Sequence, residues 1–136
     1  MARRRAARGV TFDTVRELAL ALPGVEPGTM YGSPAVKLRG NLLACMAVHK
    51  SAEPNTLAVR IAFTDRDLLI ADDPDVYYLK DHYVPYPCVL VRLSRIHRDA
   101  LRDLLRTAWR FVGKKASRRR RPSVRRRPAR RARGAR

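Results

Sequence analysis

Ala35-Val-Lys-Leu-Arg-Gly-Asn-Leu-Leu-Ala-Cys-Met-Ala-Val48 holds two apolar-rich runs, Ala35 to Arg39 and Leu42 to Val48, on either side of Gly40-Asn41. Each run is short for a helix, and a two-residue connection tolerant of left-handed backbone closes antiparallel strands, so the stretch predicts a β-hairpin. Downstream, Leu57, Val59, Ile61 and Phe63 alternate with Ala58, Arg60 and Ala62, the pattern of a third strand with one face in a core. Val76 to Leu79 and Cys88 to Leu93 predict two further strands.

Helical spacing brackets these strands. Thr11 is a candidate N-cap with Val10 and Val15 as a hydrophobic staple. Val15, Leu18, Ala19 and Leu22 then repeat on one face until Pro23-Gly24. The Gly, Pro and Thr residues that follow read as a loop. Thr64 and Asp67 have capping-box spacing for a short helix from Asp65 to Ala71, stopped by Pro74. Leu101, Leu104, Leu105, Ala108, Trp109 and Val112 form the apolar stripe of a last helix, with His97 as N-cap and Ile96 stapled to Leu101. The order is α-β-β-β-α-β-β-α. It predicts an α+β two-layer sandwich, an antiparallel sheet with helices packed on it, followed by a disordered basic tail.

Charge divides the chain more sharply than hydropathy does. The net charge is +18, yet all 12 acids lie between Val10 and Val112, where 13 bases nearly balance them. Four bases precede Gly9, and 13 lie between Lys114 and Arg136. The expected organisation is a basic arm (1-9), a near-neutral domain (10-112) and an Arg-rich tail (113-136). Val124 is the only larger apolar residue after Ser117, so the tail has too little surface to bury and is expected to be disordered. Its cations, Lys114, Lys115, Arg118, Arg119, Arg120, Arg121, Arg125, Arg126, Arg127, Arg130, Arg131 and Arg133, have no pattern for reading base edges. They predict sequence-independent binding to nucleic acid, with DNA the expected partner. No apolar face or lipidation motif accompanies the charge, so a membrane is not the expected partner. No leader or spanning segment is read, and the expected location is cytoplasmic and nucleoid-associated, with a monomer expected. Cys45 and Cys88 sit in apolar runs and read as free buried thiols.

Leu22-Pro-Gly-Val25, Gly28-Thr-Met-Tyr-Gly-Ser-Pro-Ala-Val-Lys-Leu-Arg-Gly40 and Tyr78-Leu-Lys-Asp-His-Tyr-Val-Pro-Tyr-Pro-Cys-Val-Leu-Val-Arg-Leu93 resemble the MmcQ/YjbR family of small bacterial proteins, over about residues 10-112. The resemblance implies an α+β fold of double-wing shape, related to type III secretion chaperones and proposed to bind DNA, with no established reaction. Val36 stands where the family pattern has Phe, and Cys88 where it has Trp.

Within the domain, Tyr77, Tyr78, His82, Tyr83 and Tyr86 crowd ten residues beside Lys80 and Asp81. Flat rings on a loop suit base stacking, and His82, Tyr83 and Tyr86, with Lys37 and Arg39 of the first hairpin, form the candidate domain surface. Lys37, Arg39, Arg60 and Arg92 alternate along strands. Arg98, Arg102, Arg106 and Arg110 recur along the last helix, where Asp99 and Asp103 supply partners. Catalysis is not expected. His49, His82 and His97 fall in separate elements, metal-ligand spacing and a phosphate-cradling loop are missing, and a Cys88/His82 pair would carry a thiol pKa raised by its apolar strand. No cofactor is expected. A small-ligand or protein-binding module using the Tyr-rich loop, with an incidental tail, is the alternative.

Overall fold

The computed structural model describes residues 9–120, with side chains described for 9–115. The basic arm and the tail from Arg121 onward lie outside the described residues. Helix α1 (Phe12–Leu20) is followed by strands β1 (Val25–Met30), β2 (Ser33–Leu38), β3 (Asn41–Met46) and β4 (Thr56–Arg60). Helix α2 (Phe63–Asp72), β5 (Tyr77–Tyr78), a 3₁₀ turn (Asp81–Tyr83), β6 (Cys88–Arg92) and α3 (Arg98–Arg120) complete the chain. Six antiparallel strands form one sheet in the order β1-β2-β3-β4-β6-β5. The α+β class and, with one strand added, the succession of helices and strands are those expected.

β1 is an addition. Pro27 and Gly28 give its sequence the look of a loop, but β1 is the sheet's edge, where a proline removes no ladder bond that a neighbour needs. It pairs residue for residue with β2, from Val25 opposite Leu38 to Met30 opposite Ser33. Tyr31-Gly32 closes that hairpin with φ of 53° and 80°. The next hairpin repeats the device one residue earlier than the expected Gly40-Asn41: Leu38 pairs with Asn41, and the turn residues are Arg39 (φ 49°) and Gly40 (φ 86°). Positive φ at both central positions gives the local twist that matches two strands. Asn41 instead begins β3 and donates from Nδ2 to the carbonyls of Leu38 (3.3 Å) and Arg39 (3.4 Å).

Two helix boundaries also shift. α1 starts as expected after Thr11, whose amide donates weakly to Thr14 Oγ1 at 3.5 Å. α2 starts after Ala62, not Thr64, because the amide of Arg66 already bonds to the Ala62 carbonyl at 2.9 Å. Phe63 is thereby the first helical residue rather than the last of the strand. α3 runs past Val112 through Gly113, Lys114 and Lys115 to Arg120. Gly113 costs the helix little, Lys, Ala and Arg then favour it, and Pro122 is the first proline beyond Val112.

The core lies between the sheet and the helices. Val15 and Ala19 of α1 and Leu101, Leu104, Leu105, Ala108 and Val112 of α3 bury against Val36, Leu38, Ala44, Leu57, Val59, Val89 and Val91. Trp109 pins α3 to the end of α1 by donating from Nε1 to the Pro23 carbonyl at 2.9 Å. Val36, where the family pattern has Phe, is wholly buried here. The other face of the sheet is also dry: Ala35, Cys45, Tyr78, Cys88 and Leu90 are all buried.

Candidate functional site

Alternation along β5 sends the first two tyrosines of the cluster to opposite faces. Tyr77 joins the helix-covered core. Tyr78 is buried on the other face, where its hydroxyl lies 2.6 Å from Thr56 Oγ1 and accepts the Glu53 amide at 2.9 Å. The Arg92 guanidinium sits 4.2 Å above its ring and holds Glu53 through two 2.8 Å hydrogen bonds, and Arg92 also donates to the carbonyls of Pro74 and Asp75. The hydrogen bond from Arg92 keeps the Glu53 carboxyl below its ordinary range. Arg92 is therefore committed to structure, and a free basic sheet face does not form around it. Arg60 reaches to 6.0 Å from the Phe111 ring.

The segment after β5 is tied down by its own backbone and by α2. Amides of Tyr83, Val84 and Tyr86 bond to Lys80, Asp81 and Tyr83 carbonyls. Arg66, 8% exposed, donates from Nη1 to the carbonyls of Val84 (3.0 Å) and Tyr86 (3.2 Å) and packs over Phe63. A buried guanidinium persists only when its donors find partners, and here the loop carbonyls take Nη1 while Asp67 takes Nε at 3.0 Å. Arg66 escaped the sequence reading, although its spacing to Leu69 and Ile70 places it on the inward face of α2.

This scaffold assembles a ring cluster that includes a residue from another element. His49, beyond β3, stacks on His82 with centroids 3.7 Å apart and planes 10° apart. Tyr83 meets both edge-on, and Tyr86 is tilted 6.2 Å from His82. His49 Nδ1 accepts the Ser51 amide at 3.1 Å and lies 2.7 Å from Ser51 Oγ, which leaves the proton of the neutral ring on Nε2. Desolvation, then the neighbouring His82 and Lys50, hold the His49 pKa below its ordinary value. Tyr83 is half-buried over the sheet. Its phenol pKa is raised, chiefly by burial, against a hydrogen bond with the His49 backbone, and Cys45, Cys88 and Tyr78 are its neighbours. What remains open to solvent is the exposed His82 and Tyr86, rimmed by Val48 and Val84.

Arg39 is not gathered with these rings. Cys45, under Tyr83, pairs with Ala35, whereas Arg39 turns the far end of β2 and its amide bonds to the Gly24 carbonyl. The stem of Lys37 passes over Gly28. Cys88 is buried, with its thiol pushed up to about 11 by desolvation despite Arg66 and Arg60, so it remains protonated near neutrality. No metal-binding group of side chains occurs among the described residues, and no described helix is long and apolar enough to cross a membrane.

The second basic feature is the outer row of α3. Arg98 forks onto Glu17 (3.0 and 3.3 Å), and Arg102 lies near Asp99 and Asp103. Arg106, Arg110 and Lys114, the next three positions at four-residue spacing, are exposed and have no ion pair among the described residues. Lys115, also exposed, lies 5.2 Å from the Phe111 ring.

No family model matches the chain. Over 41 residues it is 49% identical to uncharacterised proteins of Mycobacterium bovis and Mycobacterium tuberculosis, a match covering 30% of this chain and only 32% of the length of those relatives. Its fold is similar to that of the Deinococcus radiodurans protein DR2400, described as a DUF419 domain, with a TM-score of 0.59 over 78% of this chain and 80% of that one. At 20% identity this likeness establishes shared architecture.

Proposed function

We propose that the protein is a non-enzymatic, cytoplasmic, nucleoid-associated nucleic-acid-binding protein. In this reading an MmcQ/YjbR-like domain is carried on DNA, as a monomer, by basic arms that do not read sequence. The DUF419-like architecture is consistent with that family. The observation that carries the reading is the distribution of charge: 12 acids and 13 bases between Val10 and Val112, but 17 bases and no acid outside. Arg106, Arg110 and Lys114 extend the same field down the exposed side of α3, and its helical continuation to Arg120 joins that row to the tail. Phosphate attracts such a row wherever it lies on a duplex, and release of condensed counterions supplies the free energy.

Titrating unrelated labelled duplexes with the full chain over a range of salt tests the proposal. Affinity should be similar for each, and log affinity should fall against log salt with a slope near −7 if ~8 phosphates are engaged. Replacing Arg106, Arg110 and Lys114 together by Gln should reduce the slope by about 2 to 3 units, since each lost phosphate contact removes ~0.9. A slope near zero in the unmodified chain would reject the reading. A second reading, a ligand- or protein-binding module, is favoured by the exposed His82 and Tyr86. It predicts that changing those rings abolishes binding while the arms are dispensable.

A further inference from the structure

Helices α2 and α3 leave a cleft of about 670 Å³ between them, within the range of small-molecule sites. Ile61, Leu69 and Leu104 give it an apolar lining, while Asp65 and Asp72 of α2 and Asp103 of α3 bring carboxylates to it. Asp65 and Asp72 have no ion pair among the described residues, and Asp103 has only Arg102 Nε at 4.0 Å. Tyr77 also lines the cleft. It is 6% exposed, yet its hydroxyl makes no hydrogen bond among the described residues. Its neighbour Tyr78 shows the usual outcome, a buried hydroxyl satisfied on both sides. Burial, then Asp73, Asp103 and Asp72, raise the Tyr77 pKa, so the group stays a neutral phenol with a lone pair to offer a donor and a proton to offer a carboxylate.

The geometry points to a binding site for a small organic cation with a flat apolar body, such as an aryl amidinium. Its ring would lie against Leu69 and Leu104, and its N–H donors would meet Asp72, Asp103 and the Tyr77 hydroxyl. Carboxylates flanking an apolar floor repel phosphate and carboxylate ligands, and a neutral ligand would forgo the charge-assisted hydrogen bonds that they offer. The three acids do not make a metal-ligand group, which leaves an organic cation as the matching chemistry. The inference does not rest on the nucleic-acid reading, because the groups it assigns to the ligand, Leu69, Asp72, Tyr77, Asp103 and Leu104, are not members of the basic row Arg106, Arg110 and Lys114.

An NMR amide-shift titration of the full chain with benzamidinium, beside its neutral near-isostere benzamide, tests this. Shifts should concentrate on α2, Tyr77 and the Ala100 to Thr107 segment, with benzamidinium about tenfold the tighter. Tyr77→Phe removes only the unpartnered hydroxyl. It should weaken benzamidinium about tenfold, the scale of a hydrogen bond to a charged group, while leaving the thermal midpoint unchanged. The double change Asp72→Asn, Asp103→Asn should bring benzamidinium down to the affinity of benzamide. Equal binding of the two probes, shifts located away from the cleft, or unaltered affinity in Tyr77→Phe would each overturn the assignment.

Discussion

Arg39 holds a backbone conformation that glycine adopts more readily than arginine. Its φ of 49° and that of Gly40 at 86° build the turn between β2 and β3, and a Cβ in the left-handed region crowds the following carbonyl. Arg39→Gly should therefore raise unfolding free energy by about 0.5 to 1 kcal/mol, read from a urea midpoint. A fall would mean that the arginine side chain does more for the fold than its exposed position implies. The loop rings separate in the same way. Tyr83, half-buried over Cys45 and Cys88, should cost about 2 to 4 kcal/mol when changed to Ala, below the loss for a fully buried ring. Tyr86, 55% exposed, should cost no more than about 0.5 kcal/mol. If Tyr86 stacks on a base, Tyr86→Ala should also weaken single-strand binding by ~1 to 3 kcal/mol, and unchanged single-strand affinity would remove it from the interface.

At the scale of elements, the sequence was most legible where one face of a segment meets the core. The stripe from Leu101 to Val112 and the alternation from Leu57 to Ile61 marked α3 and β4, because burial imposes period on a sequence. β1 was hidden because an edge strand tolerates Pro27, and the α2 start was displaced because Thr64 and Asp67 imitate a cap that Ala62 fills without a side-chain bond. The ring site was half legible. Composition drew attention to His82, Tyr83 and Tyr86, but His49 joins them through tertiary contact from 33 residues away, which no local pattern records. Lys37 and Arg39 were grouped with the loop by their position on the hairpin, while the register carries Arg39 to the other end. The continuation of α3 beyond Gly113 gives this scale its prediction. Gly113 has no positive φ, and an added Cβ would meet only Leu38 Cδ2 at 3.6 Å, an ordinary contact. Gly113→Ala should stabilise the fold by about 0.5 to 1 kcal/mol in denaturant and leave the salt slope of duplex binding unchanged. Destabilisation would show that the helix needs its glycine against β2.

Across the whole molecule α3 is the element along which charge changes character. Its first turns carry Arg98 and Arg102 beside Asp99 and Asp103, with Asp65 and Asp72 of α2 across the cleft, whereas its later turns carry Arg106, Arg110, Lys114 and Lys115 and no acid. With the α2 acids on one side and this cation row on the other, α3 has a basic pole at its later turns, and a polyanion should be met by that pole first. Steering of this kind acts mainly on the association rate, and salt weakens it because exposed charges are screened beyond ~10 Å at 0.1 M. In stopped-flow measurements at low salt, replacing Arg106, Arg110 and Lys114 by Gln should slow association with a duplex by about tenfold, within the range electrostatic steering covers. Asp65→Asn with Asp72→Asn should change the rate by less than about twofold, because those acids lie at the pole that faces away from the approaching phosphate. If neutralising the acids changes association as much as neutralising the basic row, only net charge matters, and the basic pole has no part in how the protein meets nucleic acid.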